Sequence, residues 1–134
     1  MPRARDPLAP TLGRLERRVL EHLWHDGEAD VIETHAAVGA RPGISVNTVG
    51  STLERLHRKG LLSRRKLSHA YRYQAALTRD EFLARQVIAG AGGLGALTRK
   101  GLLASFVDIV ARTDSEALDE IEKLIAEKRR KKGR

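Results

Sequence analysis

The sequence predicts a mainly α-helical chain with one small β-hairpin, and three observations carry that prediction. Apolar residues return at three- and four-residue steps through most of the chain, the spacing of helices with one buried face. One stretch, Ala70 to Ala75, instead alternates, with Tyr71 and Tyr73 flanking Arg72 and followed by Gln74. Glycines punctuate the segments, at Asp26-Gly27, Lys59-Gly60 and the cluster Gly90 to Gly95.

Residues 1–10 carry three prolines and few apolar side chains, and read as a flexible arm. A first helix begins near Leu12, where Leu12, Leu15, Val19, Leu20, Leu23 and Trp24 form one wide stripe ending at Asp26-Gly27. Asp30 is placed to cap a second, shorter helix with Val31, Ile32, His35, Ala36 and Val38 on its inner side, broken at Gly39 to Gly43. Ser45 caps a third helix, in which Val46, Val49, Leu53 and Leu56 face inward until Lys59-Gly60. Gly50 borders that stripe, and close packing on the second helix would account for it.

Leu61 to Lys66 and Ala70 to Ala75 have strand length and read as a hairpin turning at Leu67-Ser68-His69. Thr78, followed by Asp80 and Glu81, opens a helix with Phe82, Leu83, Val87 and Ile88 that stops in the glycine cluster. A fifth helix spans about Leu97 to Arg112, and a sixth starts near Asp114 with Ala117, Leu118, Ile121, Leu124 and Ile125 as its stripe. Three short helices followed by a hairpin make the layout of a winged helix-turn-helix. The expected organisation is therefore an arm over 1–10, a winged helix over 11–77, a helical dimerisation region over 78–127 and a basic tail over 128–134. Leu102, Leu103, Phe106, Val107, Leu118, Ile121 and Leu124 are the expected dimer contacts, because short helices beyond a glycine hinge have too little chain to bury their faces alone.

The chain has 134 residues and a formal charge of +8. It holds no cysteine, which excludes disulfides, thiolate catalysis, Cys-based zinc fingers and Fe–S clusters together. Its apolar runs are too short and too charged to span a bilayer, and Met1 to Asp6 lack the apolar core of a signal peptide, so a soluble cytoplasmic protein without membrane insertion is expected. The positive charge is unevenly placed. Arg41 to Ala75 holds 8 basic residues and 1 acidic, and Lys128 to Arg134 holds 6 basic and none acidic, while the other segments are mildly acidic.

That distribution puts the charge on the third helix and the hairpin. At 100° per residue Asn47, Thr48, Ser51, Arg55 and Arg58 point away from the core stripe, a small, polar and cationic face suited to a major groove. With Thr52 they form the expected reading surface, in which Asn47 suits adenine and Arg55 a guanine or a phosphate. Arg64, Arg65, Lys66 and Arg72 on the wing would grip phosphates, supplying affinity and register rather than base discrimination. The expected partner is double-stranded DNA, with no cofactor and no catalysis. A winged-helix interaction module for an acidic protein, and a non-specific architectural DNA binder, remain alternatives on the residues alone.

Other signals are weaker. Gly90-Ala91-Gly92-Gly93-Leu94-Gly95 fits a dinucleotide-binding pattern, but it follows a helix rather than a strand and reads as a hinge. His22, His25 and Asp26, with His35 or His57, lack the four placed ligands of a closed metal site. The basic tail also suits a helix C-terminus.

Leu15-Glu16, Val19-Leu20, Leu23-Trp24, Gly27-Glu28-Ala29-Asp30-Val31, Asn47-Thr48-Val49, Thr52-Leu53, Arg55-Leu56, Lys59-Gly60-Leu61-Leu62 and Tyr71-Arg72-Tyr73 together resemble the BlaI/MecI family of penicillinase repressors. The resemblance spans Leu12 to about Lys128 and implies a homodimeric repressor that binds a palindromic operator through an N-terminal winged helix. In β-lactam-responsive members a membrane-bound sensor metalloprotease cuts the dimerisation region just before a Phe, and Ser105-Phe106 stands at the matching place, with Ser105 where the best-known sites have Asn. The copper-responsive branch uses cysteines this chain lacks. Family members often carry Tyr-Thr-Thr-Val-x-Thr where this chain has Val46-Asn47-Thr48-Val49-Gly50-Ser51, which implies a different operator sequence.

Overall fold

The computed structural model describes residues 12–39 and 43–133, so the expected arm, the Pro42 break and Arg134 lie outside the described residues. The order is α1 (Arg14–Asp26), α2 (Val31–Val38), α3 (Val46–Arg58), β1 (Leu62–Leu67), β2 (Ala70–Ala75), α4 (Arg79–Gly90), α5 (Leu94–Leu97), α6 (Lys100–Thr113) and α7 (Ser115–Lys132). The chain divides between Ala89 and Gly90 into two compact units.

In the first unit three helices and a hairpin make a winged helix-turn-helix. The caps follow their chemistry. Glu33 N–H donates to the Asp30 carboxylate at 2.8 Å, and Thr48 N–H to Ser45 Oγ at 3.1 Å, each satisfying a backbone donor with no partner inside the helix. α3 ends at Arg58, and Gly60 just beyond it has a φ of +80°, the left-handed conformation that costs glycine nothing. Leu12 packs on the core ahead of α1, which starts two residues later than expected, with Gly13 as its N-cap. Leu20, Leu23, Val49, Leu53, Leu56 and Leu61 form the centre of the core. Val46 is exposed, contrary to expectation, and buried Thr52 takes its place on the inner face of α3.

Lys59 and Glu16 are paired at 2.6 Å and tie the end of α3 to the start of α1. Burial pushes the Glu16 carboxyl upward, but hydrogen bonds from Lys59 and the Gly13 amide outweigh it and hold the group below its ordinary range.

β1 and β2 pair antiparallel from Leu62↔Ala75 to Leu67↔Ala70. The turn is therefore two residues, Ser68-His69, rather than three, with Ser68 at φ +60°. A bridge between Ala29 and Tyr73 adds a third backbone partner, with Ala29 N–H donating to the Tyr73 carbonyl at 2.9 Å and Tyr73 N–H to the Ala29 carbonyl at 2.8 Å. It fastens the wing to the α1–α2 turn. The start of α4 also belongs to this unit, because Phe82 is buried with its ring 5.5 Å from that of Trp24, whose indole N–H donates to the Leu77 carbonyl at 2.9 Å. The first unit thus continues past Leu77, the boundary that the sequence predicts.

Gly50 does lie against α2, but a Cβ there would meet Val31 Cγ1 at 3.6 Å, ordinary van der Waals contact. Close packing does not require glycine. Gly50→Ala should raise the stability of the first unit by about 1 kcal/mol, the helix-propensity difference, read as an increase in the urea midpoint.

In the second unit α6 and α7 pack on each other as a hairpin. Asp114 ends α6 and caps α7, accepting from Ala117 N–H at 3.1 Å. The basic segment from Lys128 is helical through Lys132 and continues α7. α5 begins inside the expected glycine break and ends at Leu97, where the sequence predicts the fifth helix to start, and none of the described residues of α5, α6 or α7 is buried.

Candidate nucleic-acid interface

α3 has two chemical faces. Val49, Thr52, Leu53 and Leu56 are buried, while Asn47, Thr48, Ser51, Arg55 and Arg58 are exposed. The buried face fixes the helix, so its opposite face is presented without large apolar groups that would keep a backbone away from base edges.

Thr52 is the correction on this helix. It is fully buried and cannot reach a ligand lying on the exposed face. Its hydroxyl donates to the Thr48 carbonyl at 2.8 Å and accepts from Arg55 Nη2 at 3.2 Å. Thr52 therefore orients the Arg55 guanidinium. The cause is angular: at about 100° per residue position 52 lies about 40° from core position 56 and about 60° from 49, at the border of the buried face rather than on the exposed one.

The wing cations are mostly engaged by carboxylates. Arg64 pairs with Glu54 of α3, and its guanidinium lies 4.1 Å from the centre of the Tyr71 ring. Arg65 and Arg72 stand directly opposite each other across the hairpin, a like-charge pair that would repel if left alone. Glu28 lies between them. Its Oε1 accepts from Arg72 Nε at 2.7 Å and its Oε2 from Arg65 Nε at 3.2 Å, while Arg65 Nη2 lies 2.8 Å from Oε1. The Arg65 hydrogen bond holds the Glu28 carboxyl below its ordinary range, burial opposing and Arg72 assisting.

Arg72 has further partners, Glu33 at 2.8 Å, the Glu28 carbonyl at 3.3 Å and Asp30 at 3.9 Å. It is half-buried and committed to this acid cluster. Expected among the phosphate-gripping cations, it ties the wing to the acids at the start of α2 in this structure. Arg65 is 60% exposed, and Lys66 is exposed with no ion pair among the described residues.

The expected dimer residues divide in the same way. Leu103, Phe106, Val107 and Leu124 are exposed, whereas Leu102, Leu118 and Ile121 are half-buried. Leu94, Ile109 and Ile125, outside the expected set, are exposed apolar side chains too. Ser105 and Phe106 sit side by side, both exposed, in the middle of α6. His22 and His25 both pair with Asp26, at 2.7 and 2.6 Å.

The penicillinase repressor family model matches residues 12–127. The transcriptional regulator BlaI of Mycobacterium tuberculosis is 34% identical over 109 residues, covering 80% of this chain and 79% of that protein, in both the CDC 1551 and the H37Rv strain. A solved structure of a point mutant of Lactococcus lactis ZitR covers 98% of this chain and 81% of its own, with a TM-score of 0.44 and 11% identity, too slight a likeness to weigh on the fold.

Proposed function

From the premise that the chain belongs to the penicillinase repressor family, a family of transcriptional repressors and not of enzymes, we propose that it binds a palindromic operator as a homodimer, one α3 entering the major groove of each half-site. The observation that carries this reading is the two-sidedness of α3. Asn47 and Arg55 are exposed on the face opposite Leu53, and Thr52 holds the Arg55 guanidinium in place. Asn47 matches the donor and acceptor edge of adenine, and Arg55 that of guanine or a phosphate. Arg65, Lys66 and Arg58 are the exposed cations for the flanking backbone.

Dimerisation is supported by the second unit, whose apolar side chains have no interior of their own to enter. A twofold protein matches a twofold operator, with half-site centres roughly 10 or 20 bp apart. In the same reading repression ends in the cytoplasm when a sensor metalloprotease of the membrane cuts between Ser105 and Phe106. This is supported by the exposure of both residues and by their position within the apolar face that pairs the subunits. Among the described residues no helix is long and apolar enough to cross a membrane.

Selection of binding sequences from a random duplex pool tests the proposal. A repressor enriches one palindromic motif, an architectural binder holds all duplexes equally, and an interaction module enriches nothing. On the selected duplex, Arg55→Ala should cost about 1–3 kcal/mol and relax preference at one base position, whereas Arg65→Ala should weaken every sequence and lower the salt slope by about 1. Wild-type binding by both variants would remove α3 and the wing from the interface.

A further inference from the structure

We infer that Glu28 competes with the DNA backbone for Arg65, so that duplex affinity is set by the exchange of one guanidinium between an internal carboxylate and an external phosphate. The inference rests on the proposal that the wing lies against DNA and adds a positioning residue to that surface.

Arg65 and Arg72 differ in what they lose if Glu28 releases one of them. Arg72 keeps Glu33 at 2.8 Å, the Glu28 carbonyl at 3.3 Å and Asp30 at 3.9 Å. For Arg65, Glu28 is the acid partner among the described residues, and its side chain is 60% exposed. A phosphate offers the same pair of anionic oxygens as a carboxylate, to which a guanidinium binds in the same forked way. Arg65 can therefore pass to phosphate with little loss, while Arg72 stays behind and takes the whole of Glu28.

Glu28 cannot withdraw to make room. The neighbouring residue, Ala29, is fixed to Tyr73 by two backbone hydrogen bonds, of 2.9 and 2.8 Å, and Arg72 Nε holds the carboxylate itself at 2.7 Å, so Glu28 stays beside the wing in either state. Because Arg65 also holds the carboxyl below its ordinary range, Glu28 is ionised and competing at neutral pH. Arg64 is different. It is held by Glu54 and the Tyr71 ring and is only 24% exposed, which keeps it on α3.

A double-mutant cycle on the full chain tests this, with dissociation constants measured against the selected duplex and an unrelated one over a range of salt. Glu28→Gln keeps the shape of the side chain and removes its charge, and should tighten both duplexes by about three- to tenfold. Arg65→Ala should cost a few-fold in the wild-type background and about three- to tenfold more in Glu28→Gln, because only there is Arg65 free before DNA arrives. Glu33→Gln, which removes an acid from Arg72 alone, should leave that coupling unchanged.

Equal costs of Arg65→Ala in both backgrounds, or weaker binding by Glu28→Gln, would overturn the inference and leave the interface standing. No cost in either background would overturn the inference together with the placement of the wing on DNA. The wild-type protein gives a reading independent of substitution. On addition of duplex the Arg65 Nε–H resonance should shift while that of Arg72 holds, and an unmoved Arg65 would refute the exchange.

Discussion

Phe106→Glu combined with Leu124→Glu should convert the protein to a monomer and lower operator affinity by about a hundredfold or more, the factor lost when two linked half-site contacts become one. Both side chains are about half exposed, at 50% and 47%, on the helical hairpin of the second unit. They share it with Leu103, Val107, Ile109 and Ile125, all exposed as well. Apolar area of this kind is stabilising only once removed from water, at about 25 cal/mol per Å². A hairpin of two helices has one seam to remove it in. A second copy doubles the available surface, and a glutamate at each of two central positions places charges where water must leave. Sedimentation should read the monomer mass while circular dichroism of the first unit is preserved. A dimer that survives both substitutions would show that other residues pair the subunits.

The second large effect concerns stability. Leu53→Ala should destabilise the first unit by about 2–5 kcal/mol, the cost of truncating a side chain in a closed core and leaving a cavity. Leu53 is fully buried on α3, among Leu20, Val49 and Leu56. For a domain of this size each kcal/mol lowers the melting temperature by roughly 4–8 °C, so a drop of at least about 8 °C is expected. Duplex binding at low temperature should persist, because the exposed side chains of the helix are untouched. A loss below about 1 kcal/mol would mean that the core closes over the gap.

The two predictions separate what one helix does. α3 is held by its apolar side and read by its polar side, and the sequence displays both because they alternate within a single helical period. The same period misplaces residues at the border. It assigns Val46 to the core, where the structure exposes it, and Thr52 to DNA, where the structure buries it. One is the first residue of the helix, and the other is a threonine whose hydroxyl finds a backbone carbonyl, which lets a polar residue enter the core at little cost.

The wing shows a different gap between sequence and structure. Reading Leu67-Ser68-His69 as the turn shifts the register away from the observed Leu67↔Ala70 pair and conceals that Arg65 faces Arg72. A two-residue turn makes that opposition visible and calls for an acid nearby, for which Glu28 in Gly27-Glu28-Ala29 is the available candidate. The family resemblance holds Glu28 and Arg72 in separate motifs, and nothing in either motif joins them.

What the sequence by itself determined is both strands and every helix except α5, most of the buried side of α1 and α3, and the concentration of positive charge on one helix and one hairpin. These follow from backbone periods that repeat every two to four residues and leave their pattern in the chain. Only the tertiary structure decided which of those charges is available. Arg65 and Arg72 meet their carboxylate 37 and 44 positions away, and Lys59 meets Glu16 at 43. Such partners are brought together by the packing of whole elements, and no local period records them, so a count of cations gives the sign of the surface while folding determines which guanidinium is free to leave it.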